Sequence, residues 1–194
     1  MKVVFLDVDG VLNTEDSLGE SENDSDFIFD SHGVSPLERR CLTNLIKIIL
    51  ATDAKIVVTS TWRMFPDMMQ FLTRTIDQFY MNAVSQLKSK HTKTQTNNSV
   101  IIGSTIDAGA PPFGGGRGQE VRKWLESHPE CDRFVVIDDG HKESFEESLF
   151  GEQNLPHGMK GVFIETKLGD VEFIKQGLTS ELVDIAVQFL INNE

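Results

Sequence analysis

Asp7 and Asp9 stand one residue apart at the end of an apolar run, in VVFLDVDGVLN (residues 3–13), with Gly10 directly after them. Side chains alternate along an extended chain, so the two carboxylates share a side. A carboxylate closing a segment built for burial is costly unless it is paired or bound to a metal. Two other apolar runs end in similar chemistry: KIVVTS closes on Thr59 and Ser60, and FVVIDDG on Asp138 and Asp139. Acids and hydroxyls at three strand ends predict one shared site, because open parallel sheets bind ligands outside the carboxyl ends of their strands. Carboxylates gathered there repel one another, and a hard divalent cation with oxygen ligands, Mg²⁺ above all, relieves that repulsion. Asp7, Asp9, Asp138 and Asp139 are the candidate metal ligands. The competing structural readings are turn residues for the acids and a capping role for Thr59 or Ser60.

Alternating strand and helix patterns must position these residues. Residues 2–6 read as a first strand, 55–58 as a second, 100–102 as a third, 134–137 as a fourth and 161–164 as a fifth. Ser35-Pro36-Leu37-Glu38 has the form of a capping box with proline at the first helical position. It predicts a helix to about Ala51 that buries Leu42, Leu45, Ile46, Ile49 and Leu50. Pro66 opens a second helix through Met69, Leu72, Ile76 and Phe79, and Gln119–Ser127 forms a third, with Val121, Trp124 and Leu125 inward. Thr179 caps a last helix carrying Leu182, Ile185, Ala186, Phe189 and Leu190. The expected fold is α/β, a Rossmann-like, mostly parallel five-stranded sheet flanked by helices, in one domain over residues 1–194. Residues 14–34 read as an acidic flap loop or small hairpin, and residues 88–98 and 106–116 as exposed loops.

Composition narrows the partners. The formal charge of -12, with seven acids and no base in residues 15–30, works against polyanionic ligands. Cys41 and Cys131 lack C-x-x-C spacing and read as small core residues, and the five histidines form no zinc pattern. The glycines at 114–116 lack the pattern of a nucleotide-binding P-loop. No apolar run is long enough to span a membrane or act as a signal peptide, so a cytoplasmic location is expected. Nothing in the sequence points to an oligomer.

DVDGVLN resembles the first motif of the haloacid dehalogenase (HAD) superfamily, IVVTS its second and VVIDDG its acidic fourth. DVDGVLN, TSTWR, IIGST, RGQEVRKWL and VVIDDG together resemble the phosphatase-type domain of Swiss-Army-knife RNA repair proteins. The resemblance implies a phosphatase in which Asp7 attacks phosphorus to give an aspartyl-phosphate, while Asp9 protonates the leaving oxygen and then activates water. It implies Mg²⁺ bridging Asp7, the backbone carbonyl of Asp9, and Asp138 or Asp139. It further implies that the hydroxyl of Thr59, or of Ser60 if the strand ends one residue later, holds a phosphoryl oxygen. The basic residue of the third motif is Arg117, with Arg122 or Lys123 taking its place if the helix starts later. Arg63 is a candidate for the substrate phosphate, against a structural salt bridge.

The segments after the first motif and after the third strand leave no room for a large cap domain, so the expected site is open and the substrate a phosphorylated macromolecule. The acidic balance favours a phosphoprotein, phosphotyrosine in particular, and a protein phosphatase activity. The alternatives are a polynucleotide end in RNA or DNA repair and a non-catalytic module that binds phosphorylated partners.

Overall fold

β1 (Lys2–Leu6) occupies the middle of a five-stranded sheet, paired in parallel with β4 (Lys55–Val58) on one side and β6 (Arg133–Asp138) on the other. β5 (Ile101–Ser104) extends the sheet beyond β4 and β7 (Lys160–Glu165) beyond β6, giving the order β5-β4-β1-β6-β7 with every neighbour parallel. This computed structural model describes residues 1–14, 25–29, 36–88, 99–108, 116–140, 142–150, 155–166 and 176–192.

The sheet separates two apolar cores, and strand alternation decides which residue enters which. Val4, Leu6, Ile56, Val58, Val135 and Ile137 face the helices α1 (Arg39–Thr52), α2 (Pro66–Lys88) and α5 (Ser180–Ile191). Val3, Phe5, Val57, Phe134 and Val136 face α3 (Gly116–Ser127) and the short α4 (Lys142–Phe145). Both faces are covered, which accounts for near-continuous apolar strands rather than a polar–apolar alternation. The expected α/β fold with a central parallel sheet is what forms, and no cap domain stands among the described residues. Cys41 and Cys131 are buried, as expected of core residues.

Several boundaries differ from the sequence reading. α1 starts at Arg39, because Leu37–Glu38 instead form β3, antiparallel to β2 (Phe27–Ile28). Glu38 holds the N-cap position without a side-chain cap bond; its carboxylate accepts from Thr14 Oγ1 and from Arg40 at 2.9 Å. Tertiary pairing here outcompetes the capping box, of which Ser35 lies outside the described residues. Of the flap, only Phe27–Ile28 form a strand, and its partner β3 lies beyond residue 34; residues 15–24 and 30–35, most of the acidic run, lie outside the description, as do 89–98 and 109–115 of the two expected loops. The 3₁₀ turn Thr105–Ala108 takes up the start of the loop expected from residue 106, and α3 begins at Gly116 rather than Gln119. β5 runs two residues past the expected third strand. Lys142–Phe150 is helical, a segment no periodicity announced. Thr179 does cap α5, accepting from the Leu182 amide, but Ile185 is exposed and Val183 takes the buried position instead.

Candidate active site

The sheet ladder continues one residue beyond the strand ends. The Asp7 amide donates to the Ile137 carbonyl at 3.0 Å, and the Thr59 amide to the Leu6 carbonyl at 2.9 Å. Asp7 therefore continues the Val3–Phe5 series, Thr59 follows Val57, and Asp138 follows Phe134 and Val136, all on the side that α3 covers. Asp7 is 2% exposed and Thr59 and Asp138 are fully buried. The convergence lies where strand order reverses about β1, the place an open α/β sheet offers a ligand.

α3 brings Arg117 into this group. Its Nη1 lies 2.8 Å from Asp7 Oδ2 and 2.8 Å from Asp138 Oδ2. The glycines flanking it make that approach possible. Gly116 has φ +78°, a conformation L side chains rarely adopt, and a Cβ on Gly118 would sit 2.2 Å from the Ser144 carbonyl oxygen. The Gly118 amide donates to Ser144 Oγ at 3.2 Å, tying the start of α3 to α4. Arg122, the first alternative to Arg117, turns instead to Glu126 and to the Ser148 carbonyl.

Burial and charge set the protonation of the acids. Burial pushes the Asp7 carboxyl up against the pull of Arg117, and Asp139 adds to the rise. Burial, then the neighbouring Asp7, push Asp138 up to about 7, although Arg117 and the Gly140 amide, 3.0 Å from Oδ1, oppose them. Arg117 is itself partly buried, which disfavours its charge, but Asp7 and Asp138 outweigh that and raise its pKa. Gly10 lets Asp139 come close: a Cβ there would lie 2.4 Å from Asp139 Oδ2, and Gly10 has φ +75°. Thr166, just beyond β7, donates to the Gly10 carbonyl at 2.8 Å and steadies the turn from the far side. Thr166 did not stand out in the sequence; its only signal is a threonine closing the fifth apolar run.

Asp7, Asp138 and Asp139 offer carboxylate oxygens that all lie within 4.8 Å of one another. Asp7 Oδ1 is buried and meets no well-formed hydrogen-bond partner among the described residues. An all-oxygen donor set, crowded at a buried strand end and with one orphaned oxygen, fits a hard divalent cation such as Mg²⁺. The Asp9 side chain lies outside this cluster. Its carboxylate accepts from Trp62 Nε1 and from Asn13 Nδ2.

Thr59 and Ser60 part company. Thr59 Oγ1 is buried without a partner, whereas Ser60 Oγ accepts from the Trp62 amide at 3.3 Å and caps the 3₁₀ turn Thr61–Met64. Arg63, the candidate for the substrate phosphate, has its guanidinium engaged within the fold. It is buried, with Nη2 2.7 Å from Glu120 and Nη1 on the backbone carbonyls of Thr59 and Ser60. Glu120 also accepts from Thr105 Oγ1 at 3.2 Å, so the pair ties the Thr59 loop to α3. This is the structural salt bridge that stood as the competing reading.

No curated protein and no solved structure matches the chain. The family model for the HAD domain in Swiss Army Knife RNA repair proteins matches residues 3–168, a stretch that contains every residue of the cluster around Asp7. With most of its length matched and its carboxylates gathered at the sheet's rim, the chain belongs to this family of HAD domains and is a HAD-type phosphatase.

Proposed function

We propose that the protein is a Mg²⁺-dependent phosphomonoester hydrolase that works through an aspartyl-phosphate on Asp7, with Asp9 as acid and base. One observation carries the reading: Asp7 Oδ1 and Thr59 Oγ1 are both buried without a protein partner, while Arg117 holds Asp7 Oδ2. Native proteins seldom leave buried polar atoms unsatisfied, and an orphaned pair at a strand-end site is best understood as waiting for a ligand. Asp7, Asp138 and Asp139 would hold the cation, which supplies neutralisation of phosphoryl charge. In the first half-reaction an Asp7 oxygen forms a bond to phosphorus as the ester P–O bond breaks, and the leaving oxygen takes the proton of Asp9. In the second, Asp9 takes a proton from water as that water attacks phosphorus, which releases inorganic phosphate and restores the Asp7 carboxylate. Arg117 keeps the nucleophile in place, and the Thr59 hydroxyl donates to a phosphoryl oxygen.

Family membership favours the phosphorylated end of an RNA strand as substrate, because the family's description sets its HAD domain in RNA repair proteins. A second reading, a phosphotyrosine protein, is favoured by the net charge of -12, which opposes a polyanion. Phosphate release from 3′- and 5′-phosphorylated oligonucleotides and from phosphotyrosine peptides, with Mg²⁺ varied, separates the two. Turnover of at least one class should require Mg²⁺ and vanish in Asp7→Asn. Equal inertness of wild type and Asp7→Asn, with binding of the phosphorylated ligand retained, would leave only a binding module.

A further inference from the structure

Asp9 is the exposed residue of an otherwise buried turn after β1, outside the sheet that fixes Asp7. Its carboxylate is nevertheless tightly held. Trp62 Nε1 lies 3.1 Å from Oδ1 and 3.2 Å from Oδ2, and Asn13 Nδ2 lies 3.1 Å from Oδ1. Both donors are themselves anchored. Asn13 is buried and its Oδ1 accepts the Gly10 amide at 3.0 Å. Trp62 is 3% exposed, its amide is capped by Ser60, and its ring stacks on Phe71 of α2 with centroids 6.4 Å apart. No ion pair reaches Asp9 among the described residues, so neutral N–H groups alone set its orientation.

We propose that Trp62 is the positioning residue for proton transfer: its indole N–H spans both oxygens and fixes the plane of the Asp9 carboxylate, and Asn13 on Oδ1 makes Oδ2 the less engaged oxygen, the one that carries the proton. The inference rests on the phosphatase reading above. An acid must come within hydrogen-bond reach of the oxygen it protonates, about 2.6–3.2 Å, and an exposed carboxylate with free χ angles spends little time there. When Oδ2 is protonated, the indole N–H stays with Oδ1. When Oδ2 has given its proton to the leaving oxygen, the same N–H spans both oxygens of the anion that next receives a proton from water. Trp62 thereby joins the β4 loop, which carries Thr59, to the acid on the β1 turn. A buried tryptophan is ordinarily a packing residue, and here its ring does pack; the N–H is what the core does not explain.

Trp62→Phe keeps an aromatic ring against Phe71 and removes the N–H. The test is kcat/KM on a series of phosphate monoesters whose leaving groups run from 4-nitrophenol to a simple alkanol, with Asp7→Asn as the blank. kcat/KM reports the steps through phosphoryl transfer, and nitrophenolate departs without a proton while an alkoxide does not. The expected result is a loss of about 10²-fold on the alkyl phosphate, in the range typical of general acid catalysis, with a loss of only a few-fold on 4-nitrophenyl phosphate. The Mg²⁺-induced rise in melting temperature should be unchanged, which a merely structural defect would not spare. Benzothienylalanine at position 62 keeps the ring's shape with sulfur in place of N–H, and must give the same pattern if Trp62→Phe folds poorly. A uniform loss across the series, or none, overturns the assignment while Asp7-dependent wild-type turnover leaves the phosphatase reading standing. A wild type inert on every ester, and on phosphorylated oligonucleotides and phosphotyrosine peptides as well, overturns both.

Discussion

At the scale of single residues, the site is a set of polar atoms buried ahead of a ligand. Thr59 Oγ1 has no partner, and an unsatisfied buried hydroxyl costs about 1–3 kcal/mol. Thr59→Val should therefore leave stability unchanged or raise it by about 1 kcal/mol, while kcat/KM falls by about 10²-fold, the loss typical of removing one donor to a transition-state oxyanion. Chemical denaturation and steady-state kinetics on the same sample check both halves; a loss of stability would show that the hydroxyl has a partner within the fold. Asp138 makes a second prediction. Its carboxyl has a pKa of about 7 in the folded, metal-free protein against 3.8 for the free group. Between those values the folded state binds more protons than the unfolded chain, so stability falls as pH rises through the window. The melting temperature of metal-free protein should drop between pH about 4 and about 7, Asp138→Asn should flatten the drop, and Mg²⁺ should restore more at the upper end than at the lower. A thermal shift series across pH, with and without Mg²⁺, reads all three.

At the scale of elements, α3 is placed by what its glycines lack. A Cβ on Gly118 would meet the Ser144 carbonyl at 2.2 Å, and backbone cannot step aside as a flexible side chain can. Gly118→Ala should push α3 away from α4, cost about 1–3 kcal/mol in the way of an overpacked core, and lower kcat by moving Arg117 off Asp7 and Asp138. A Cβ on Gly140 would have nothing within 4 Å, so Gly140→Ala is the matched control, expected to keep both stability and turnover. Comparable loss in the two variants would mean that the glycine-rich start of α3 is not what sets Arg117. The Arg63–Glu120 pair works at the same scale from the opposite direction, binding the Thr59 loop to the helix that carries Arg117.

At the scale of the whole molecule, charge decides how a substrate arrives. A net charge of -12 repels a polynucleotide at long range, and salt screens that repulsion over about 10 Å at 0.1 M. If RNA ends are the substrate, kcat/KM on a phosphorylated oligonucleotide should hold or rise as ionic strength climbs from about 0.01 to about 0.1 M. A basic groove would give the reverse, a steep fall with salt from counterion release. The salt series therefore reports whether a local basic surface overrides the acidic whole.

Local pattern was enough for much of this protein. Apolar runs ending in Asp7, Thr59 and Asp138 placed β1, β4 and β6 within a residue or so, since strand ends are marked by where burial stops and polar chemistry starts. The parallel sheet followed from helices alternating with those strands, and the family's motifs were readable in the same stretches. Everything that depended on residues distant in the chain was decided only on folding. Thr59 and Ser60 look alike as neighbours, yet the turn at Trp62 occupies one hydroxyl and leaves the other empty. Arg63 and Arg117 are both arginines beside a motif, but Glu120 draws one into the framework and Asp7 with Asp138 draw the other into the site. Trp62 reads as core by its type, and only the approach of the β1 turn puts the Asp9 carboxylate on its N–H. Sequence spacing carries burial and period; which partner a polar group meets is a property of tertiary contact, because electrostatics and hydrogen bonding act across a few ångströms of space whatever the distance along the chain.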